Sequence, residues 1–314
     1  MLNRRHIRVK VMQTLYANKS AEEISLTKDL KFLHTSINGM YQLYLLLLSI
    51  FIELHDKAED YIERSSLKHL ATQADKNPNK KFINNQLIQL LVNNKLLQDT
   101  IDKHKVNYWR NDFEYIDLLF KEVRNSQLYT DYMKTKTSDF IDDKHFMIDM
   151  YKEIIAPNEK LYEYLEDKNL TWLDDLPAVN TIILKLLRKA KPNSEDAFFV
   201  PALLKDKEDL QFAEDLLKKT YENKEALNKI IAERTNNWDS ERIAEVDFVL
   251  LEMAVCEISH FPTIPTKVTI NEYLEIAKEY STPKSSIFIN GILDRLVKDY
   301  QEAGVLNKTG RGLM

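Results

Sequence analysis

The run MYQLYLLLLSIFIEL, residues Met40–Leu54, is the strongest apolar stretch of this 314-residue chain. Gln42, Ser49 and Glu53 interrupt it, and it falls short of the roughly 18 uninterrupted apolar residues that a bilayer-spanning helix needs. It reads as a buried core helix. Extended backwards it begins near Leu30, and its apolar surface widens towards Leu54, the pattern of a helix central to a core. Composition agrees. Five Gly and eight Pro leave too little turn chemistry for a many-stranded sheet, whose hairpins lean on glycine. The fold class expected is all-α.

Upstream, NRRHIRVKVMQTLYANKS from Asn3 sets Ile7, Val11, Met12 and Leu15 at helical spacing, with arginines at the front. Downstream, polar KHLATQADKNPNKK breaks the pattern, and a series of helices follows from about Ala58 to Leu204. Phe113, Ile116, Leu119, Phe120 and Val123 share one face. Val179, Ile182, Ile183, Leu186 and Leu187 share another, with Pro177 suited to that helix's first turn. A boundary is expected near Pro192, and no clean repeat period runs through this middle region. The last part is better punctuated. Asp239 can cap a helix bearing Ile243, Val246, Leu250, Met253, Ala254 and Glu257 that ends before Pro262. Thr269 and Glu272 have capping-box spacing, Thr282-Pro283 opens a last helix through Leu296, and the GRGLM end is expected to fray.

Catalytic signatures are missing from the sequence. Gly39, Gly291, Gly304, Gly310 and Gly312 form neither G-x-G-x-x-G nor a P-loop. The seven histidines make no H-x-x-x-H pair, and Cys256, the single cysteine, sits in an apolar run and reads as core. Asp142-Asp143 and Asp174-Asp175 are adjacent acids that diverge by some 100° on a helix, so they read as structural. No catalytic residue, metal site or cofactor is expected. No secretory signal is apparent either, and the chain reads as cytoplasmic.

Charge is unevenly distributed. The net charge is −5, yet the first twenty residues carry Arg4, Arg5, Arg8, Lys10 and Lys19 without a single acid. Arg4, Arg5 and Arg8 can crowd one helix face opposite Ile7, Val11 and Leu15, against both their mutual repulsion and the helix dipole. A bound anion would relieve that, and a phosphate backbone is the natural one. A solvated basic end, a membrane surface and an acidic protein stand open beside it.

RRHIRVKVMQTLY resembles the N-terminal signature of the NusB transcription antitermination family, in Arg4, Arg5, Arg8, Gln13, Leu15 and Tyr16. The far end is similar to the family's W-x-x-x-R, I-N-E-x-x-x-x-A-K and F-x-N-G-x-L segments, in NWDSERIAEVDFVLLEMAVCEI, VTINEYLEIAKEY and IFINGILDRL. The resemblance implies a helical bundle of two packed helical subdomains, here interrupted by a helical insertion, with 1–57 and 205–314 as core and 58–204 inserted. It implies binding of boxA-like single-stranded ribosomal RNA together with the small-subunit ribosomal protein NusE, in support of the RNA polymerase elongation complex. Arg4, Arg5, His6 and Arg8 fall on the RNA-binding cluster. Phe288 falls on an aromatic near the RNA path, and Lys284 stands where some members carry an acid, a change that favours phosphate. Asp247 falls near the NusE surface and is expected to face outward. Gly291 is expected to serve close helix packing. Two rivals are a helical scaffold that binds only protein and an accessory to a ribosomal RNA methyltransferase.

Overall fold

A computed structural model describes residues 1–19, 25–67, 72–235 and 243–310. Trp238, Asp239 and Arg242, and the end from Arg311, lie outside the described residues. Among the described residues the regular elements are helical, as the glycine-poor composition implies. In chain order they are α1 (Arg4–Asn18), α2 (Leu26–Ser66), α3 (Gln73–Lys76), α4 (Gln86–Val92), α5 (Lys95–His104), α6 (Phe113–Asn125), α7 (Gln127–Tyr132), α8 (Phe140–Met150, continued as a π-turn over Tyr151–Ile155), α9 (Glu159–Lys168), α10 (Thr171–Lys189), α11 (Lys207–Glu222), α12 (Lys224–Arg234), α13 (Glu245–His260), α14 (Thr266–Tyr280) and α15 (Ser285–Glu302). Short polar side chains start many of them. Asn85, Asn94, Asn158, Asp139 and Asp206 each accept a first-turn backbone N–H, the role for which these residue types are favoured.

The chain forms two compact units, one of Met1–Ile37 with Leu204–Met314 and the other of Asn38–Leu203, so the division falls inside α2. In the second unit Leu43 to Leu48, Ile50, Phe51 and Leu54 are enclosed on every side. That is what an apolar run without a polar face requires. Its polar groups find partners: Tyr44 donates to the Phe199 carbonyl at 2.8 Å, and the Trp109 indole N–H donates to Ser49 Oγ at 3.0 Å. Although the Met40–Leu54 run is short, α2 holds an 18-residue window apolar enough to cross a membrane, and 78% of that window is buried inside the protein. The burial of this window is what a core helix looks like.

In the first unit α13 is the hub, packing on α1, α11, α12, α14 and α15. Leu250, Met253, Ala254 and Glu257 of the expected stripe are buried on it, whereas Ile243 precedes the helix and Val246 is half-buried. Three local readings are corrected. Pro177 lies well inside α10, which starts at Thr171. Thr269 is interior to α14, whose cap position is Pro265, so the Thr269 to Glu272 spacing makes no capping box. Phe113 begins α6 but is 60% exposed, off the face formed by Ile116, Leu119, Phe120 and Val123.

A correspondence between the units also emerges. Asp143, Phe146, Met147, Met150, Tyr151, Leu161 and Leu165 are buried in unit 2, and at a constant step along the chain Asp209, Phe212, Ala213, Leu216, Leu217, Leu227 and Ile231 are buried in unit 1. In each set a helix and its successor both pack on a third, α8 and α9 on α10, α11 and α12 on α13.

Candidate nucleic-acid interface

Helix α1 opens with Asn3, whose side chain accepts from the His6 N–H at 3.0 Å while its own N–H donates to His6 Nδ1 at 3.4 Å. His6 is thus one half of a capping box.

The three arginines line one cavity but differ in depth. Arg4 donates from Nε to Asp209 at 3.2 Å and lies 5.1 Å from the centre of the Phe212 ring, with its side chain 43% exposed. Arg5 forms a two-pronged pair with Glu272, both bonds at 3.0 Å, and is 38% exposed. That hydrogen bond holds its guanidinium above the ordinary value. Arg8 points inward. Only 2% of its side chain is exposed, and it pairs with fully enclosed Glu257 through bonds of 2.8 and 2.7 Å. Glu257 also accepts from Thr269 Oγ1 at 2.7 Å and Tyr273 OH at 3.2 Å. Burial alone would lower the Arg8 pKa, but the Glu257 carboxylate drives it up instead. This corrects the reading of Arg8 as an exposed residue opposite Ile7 and Val11. The sequence did carry a signal, since Arg8 and Glu257 each interrupt an apolar pattern on a packed helix. Charges buried that way come in pairs.

The structure brings Arg4, Arg5 and the edge of Arg8 to the wall of an open cavity of about 610 Å³, with Asn3, Pro265 and Val268 opposite. Lys284, Phe288 and Asp247 line a second cavity, also about 610 Å³, with Arg234 and Arg295. Lys284 is exposed at the cap position of α15, and Phe288 lies one turn on, half-buried. Asp247 is 5% exposed, so it does not face outward as expected. It occupies the first turn of α13, where the hub helix is enclosed almost from its start. Gly291 has no neighbour within 4 Å of where a Cβ would stand, which removes close packing as its role and leaves it as a bare stretch of the cavity wall. The adjacent acids are structural: Asp143 accepts from Tyr132, Ser138 and the Gln86 N–H, and Asp175 is buried in α10.

Together these features describe an all-helical protein with arginines fixed at the start of its first helix. The model of the NusB family matches residues 177–298. The chain is similar to the transcription antitermination protein NusB of Salinibacter ruber, at 46% identity over 103 residues, which are 33% of this chain and 64% of that protein. It is similar to NusB of Chloroherpeton thalassium, at 41% over 99 residues, 32% and 47% of the respective chains, and of Natranaerobius thermophilus, at 39% over 93 residues, 30% and 67%. The chain belongs to the NusB family. The matches span about half to two thirds of these relatives' lengths. No solved structure matches it.

Proposed function

We propose that this protein is a cytoplasmic transcription antitermination factor that binds boxA-like single-stranded ribosomal RNA together with NusE and serves the RNA polymerase elongation complex, with no chemistry of its own. The observation that carries the reading is the pair Arg4 and Arg5. Both are substantially exposed and sit at a helix start, and each is held by a carboxylate at a cavity edge. Each arginine keeps an exposed side that an RNA phosphate can approach while the carboxylate beneath, Asp209 or Glu272, stays in place and orients it. Arg8 supports the site from beneath without touching RNA. Two phosphates rather than three are then neutralised, and the single-strand relation gives a log-affinity against log-salt slope of about −1.4.

The test measures affinity for boxA-like and scrambled RNA, with and without NusE, across a salt series. Arg4→Ala and Arg5→Ala should each weaken binding and flatten the slope by about 0.7. Unaltered affinity and slope in both folded variants, or no preference for the boxA-like RNA under any condition, would overturn the assignment.

A further inference from the structure

The correspondence between the units continues into α10 and α13. With one further residue between the partners, Ile183, Leu187 and Ala190 of α10 fall in step with Leu250, Ala254 and Glu257 of α13, and all of them are buried. The other positions of these turns part company. Lys185, Arg188, Lys189 and Lys191 are exposed, whereas Glu252, Val255, Cys256 and Ile258, which hold those steps in unit 1, are enclosed. Packing accounts for the difference. Helix α13 lies under α14 and α15 as well as against α11 and α12, while α10 packs on α8 and α9. A face that is core in one unit is surface in the other.

Solvation does not dictate what fills such a face, and a surface without a partner carries both signs of charge interspersed. Here one sign prevails. From Leu176 to Ser194 the chain has these four cations and no acid, in a protein whose net charge is −5. Lys185 lies three and four positions before Arg188 and Lys189, so the three project from one side of the helix. A fifth cation closes up to them: Lys144 of α8 sets its Nζ 3.4 Å from both the Arg188 and the Ala190 carbonyl. Glu195 and Asp196 follow in the chain, yet among the described residues no carboxylate reaches the side chains of Lys185, Arg188, Lys189 or Lys191. Elsewhere in unit 2 Lys57, Arg64, Lys134, Lys160 and Lys168 each pair with an acid. The helix dipole favours cations in its last turn, which suits Arg188, Lys189 and Lys144. It accounts neither for Lys185, one turn earlier, nor for Lys191, past the end.

We infer that the C-terminal end of α10, with Lys144 beside it, is a second RNA-docking surface, one that holds the phosphate backbone of single-stranded RNA whatever its sequence. Cations alone position a backbone, and base reading needs rings or base-edge contacts besides. Phe140, whose ring lies 5.7 Å from Lys144 Nζ, is buried and offers no platform for a base. The choice of RNA over another polyanion rests on the function proposed above, but the surface belongs to unit 2 and uses neither α1 nor α15.

Two labelled RNAs test the surface by fluorescence anisotropy on the full chain across a salt series: a short boxA-like segment and a long oligouridine. Lys185, Arg188, Lys189 and Lys191 are replaced together by Gln, a good helix former at exposed positions, with circular dichroism as the folding control. If about three phosphates are held there, the variant should bind oligouridine more weakly and flatten its log-affinity against log-salt slope by about 2. Its affinity for the boxA-like segment should stay as it was. Arg4→Ala with Arg5→Ala should do the reverse, weakening the boxA-like segment and sparing most of the oligouridine binding. The pair Lys189→Gln and Lys191→Gln, at and beyond the helix end, should give about half the change in slope and decides the matter even if the fourfold variant does not fold. Unchanged oligouridine affinity and slope in the folded variants overturn the surface and leave the boxA reading standing. Equal loss of both RNAs would make α10 part of a single RNA site, and the inference of a separate one is then wrong. Polyglutamate that displaces oligouridine at equal charge would assign the face to an acidic protein instead, and failure of the unaltered protein to bind either RNA removes this surface and the proposed function together.

Discussion

Asp209 in unit 1 and Asp143 in unit 2 stand at matching steps of two helix pairs, each one turn before a buried phenylalanine, and each pair of side chains holds a different guest. Asp209 and Phe212 hold Arg4, by an ion pair at 3.2 Å and a guanidinium 5.1 Å from the ring centre. Asp143 and Phe146 hold Tyr132, whose hydroxyl donates to the carboxylate at 2.5 Å and whose ring stacks at 4.0 Å between centroids and 14° between planes. The difference runs through both cores. Beside Phe212 unit 1 encloses a full ion pair, Arg8 with Glu257. Unit 2 fills its interior with aromatic rings, Trp109 against Tyr164 at 5.1 Å and Phe51 against Tyr151 at 5.7 Å. One helical scaffold has thus been given a charged, partly open lining in one unit and a closed aromatic one in the other. In the charged version Arg4 is left partly exposed, where an anion can compete for it.

The comparison breaks most visibly if the units are separated in the wrong place. Excising 58–204 would leave Leu43–Leu54 attached to unit 1 without the residues that enclose it, and such exposed apolar surface drives aggregation. Excision of 38–203 removes the run with its surroundings. Light scattering and circular dichroism should find the first product aggregated and the second helical and monodisperse. A soluble, cooperatively folded first product would show that α2 belongs to unit 1 throughout.

Next in size is Arg8→Ala, which leaves Glu257 charged and enclosed. Breaking a buried ion pair from one side costs about 3–5 kcal/mol, so denaturant unfolding should show a loss of that order. A loss under about 1 kcal/mol, the ceiling for an exposed pair, would put Arg8 back among the solvated arginines. The smallest effect sharpens the comparison most. Asp143→Ala strands the Tyr132 hydroxyl and the Gln86 N–H inside unit 2 and should cost about 1–3 kcal/mol. Asp209→Ala releases a half-exposed arginine and should cost less than about 1 kcal/mol. Equal losses would mean that the two positions correspond in shape alone.

Much of this was legible in the sequence. Scarce glycine and the Met40–Leu54 run define an all-helical protein with α2 at a core, and the part of the α13 stripe from Leu250 to Glu257 is buried as expected. The NusB resemblance rests on segments at both ends of the chain. What escaped has physical causes. Arg8 was set opposite Ile7 and Val11 although it is buried with Ile7, Val11 and Met12, and its partner lies 249 positions away on a helix that α1 meets only after folding. Thr269 and Glu272 match a cap pattern, yet each is committed elsewhere, Thr269 to Glu257 and Glu272 to Arg5. Asp247 looks like an ordinary first-turn helix acid, because sequence does not reveal that α15 and Arg234 close a cavity around it. The correspondence between α8–α9 and α11–α12 was hidden because only scattered identities mark it, such as Asp143 with Asp209 and Phe146 with Phe212, while intervening buried positions differ, as Met147 against Ala213 illustrates.

The Arg8 to Glu257 pair also sets a timetable. At ribosomal speeds of about 5–20 residues per second, the 249 positions between them take roughly 12 to 50 s to emerge. Until α11 and then α13 emerge, the apolar side of α1 lacks the helices it packs on, whereas Asn38–Leu203 has been synthesised in full before either appears. Unit 2 can therefore finish folding during synthesis. Unit 1 must wait for the far end of its own chain, and the nascent protein spends that time with its first helix undocked and open to chaperones.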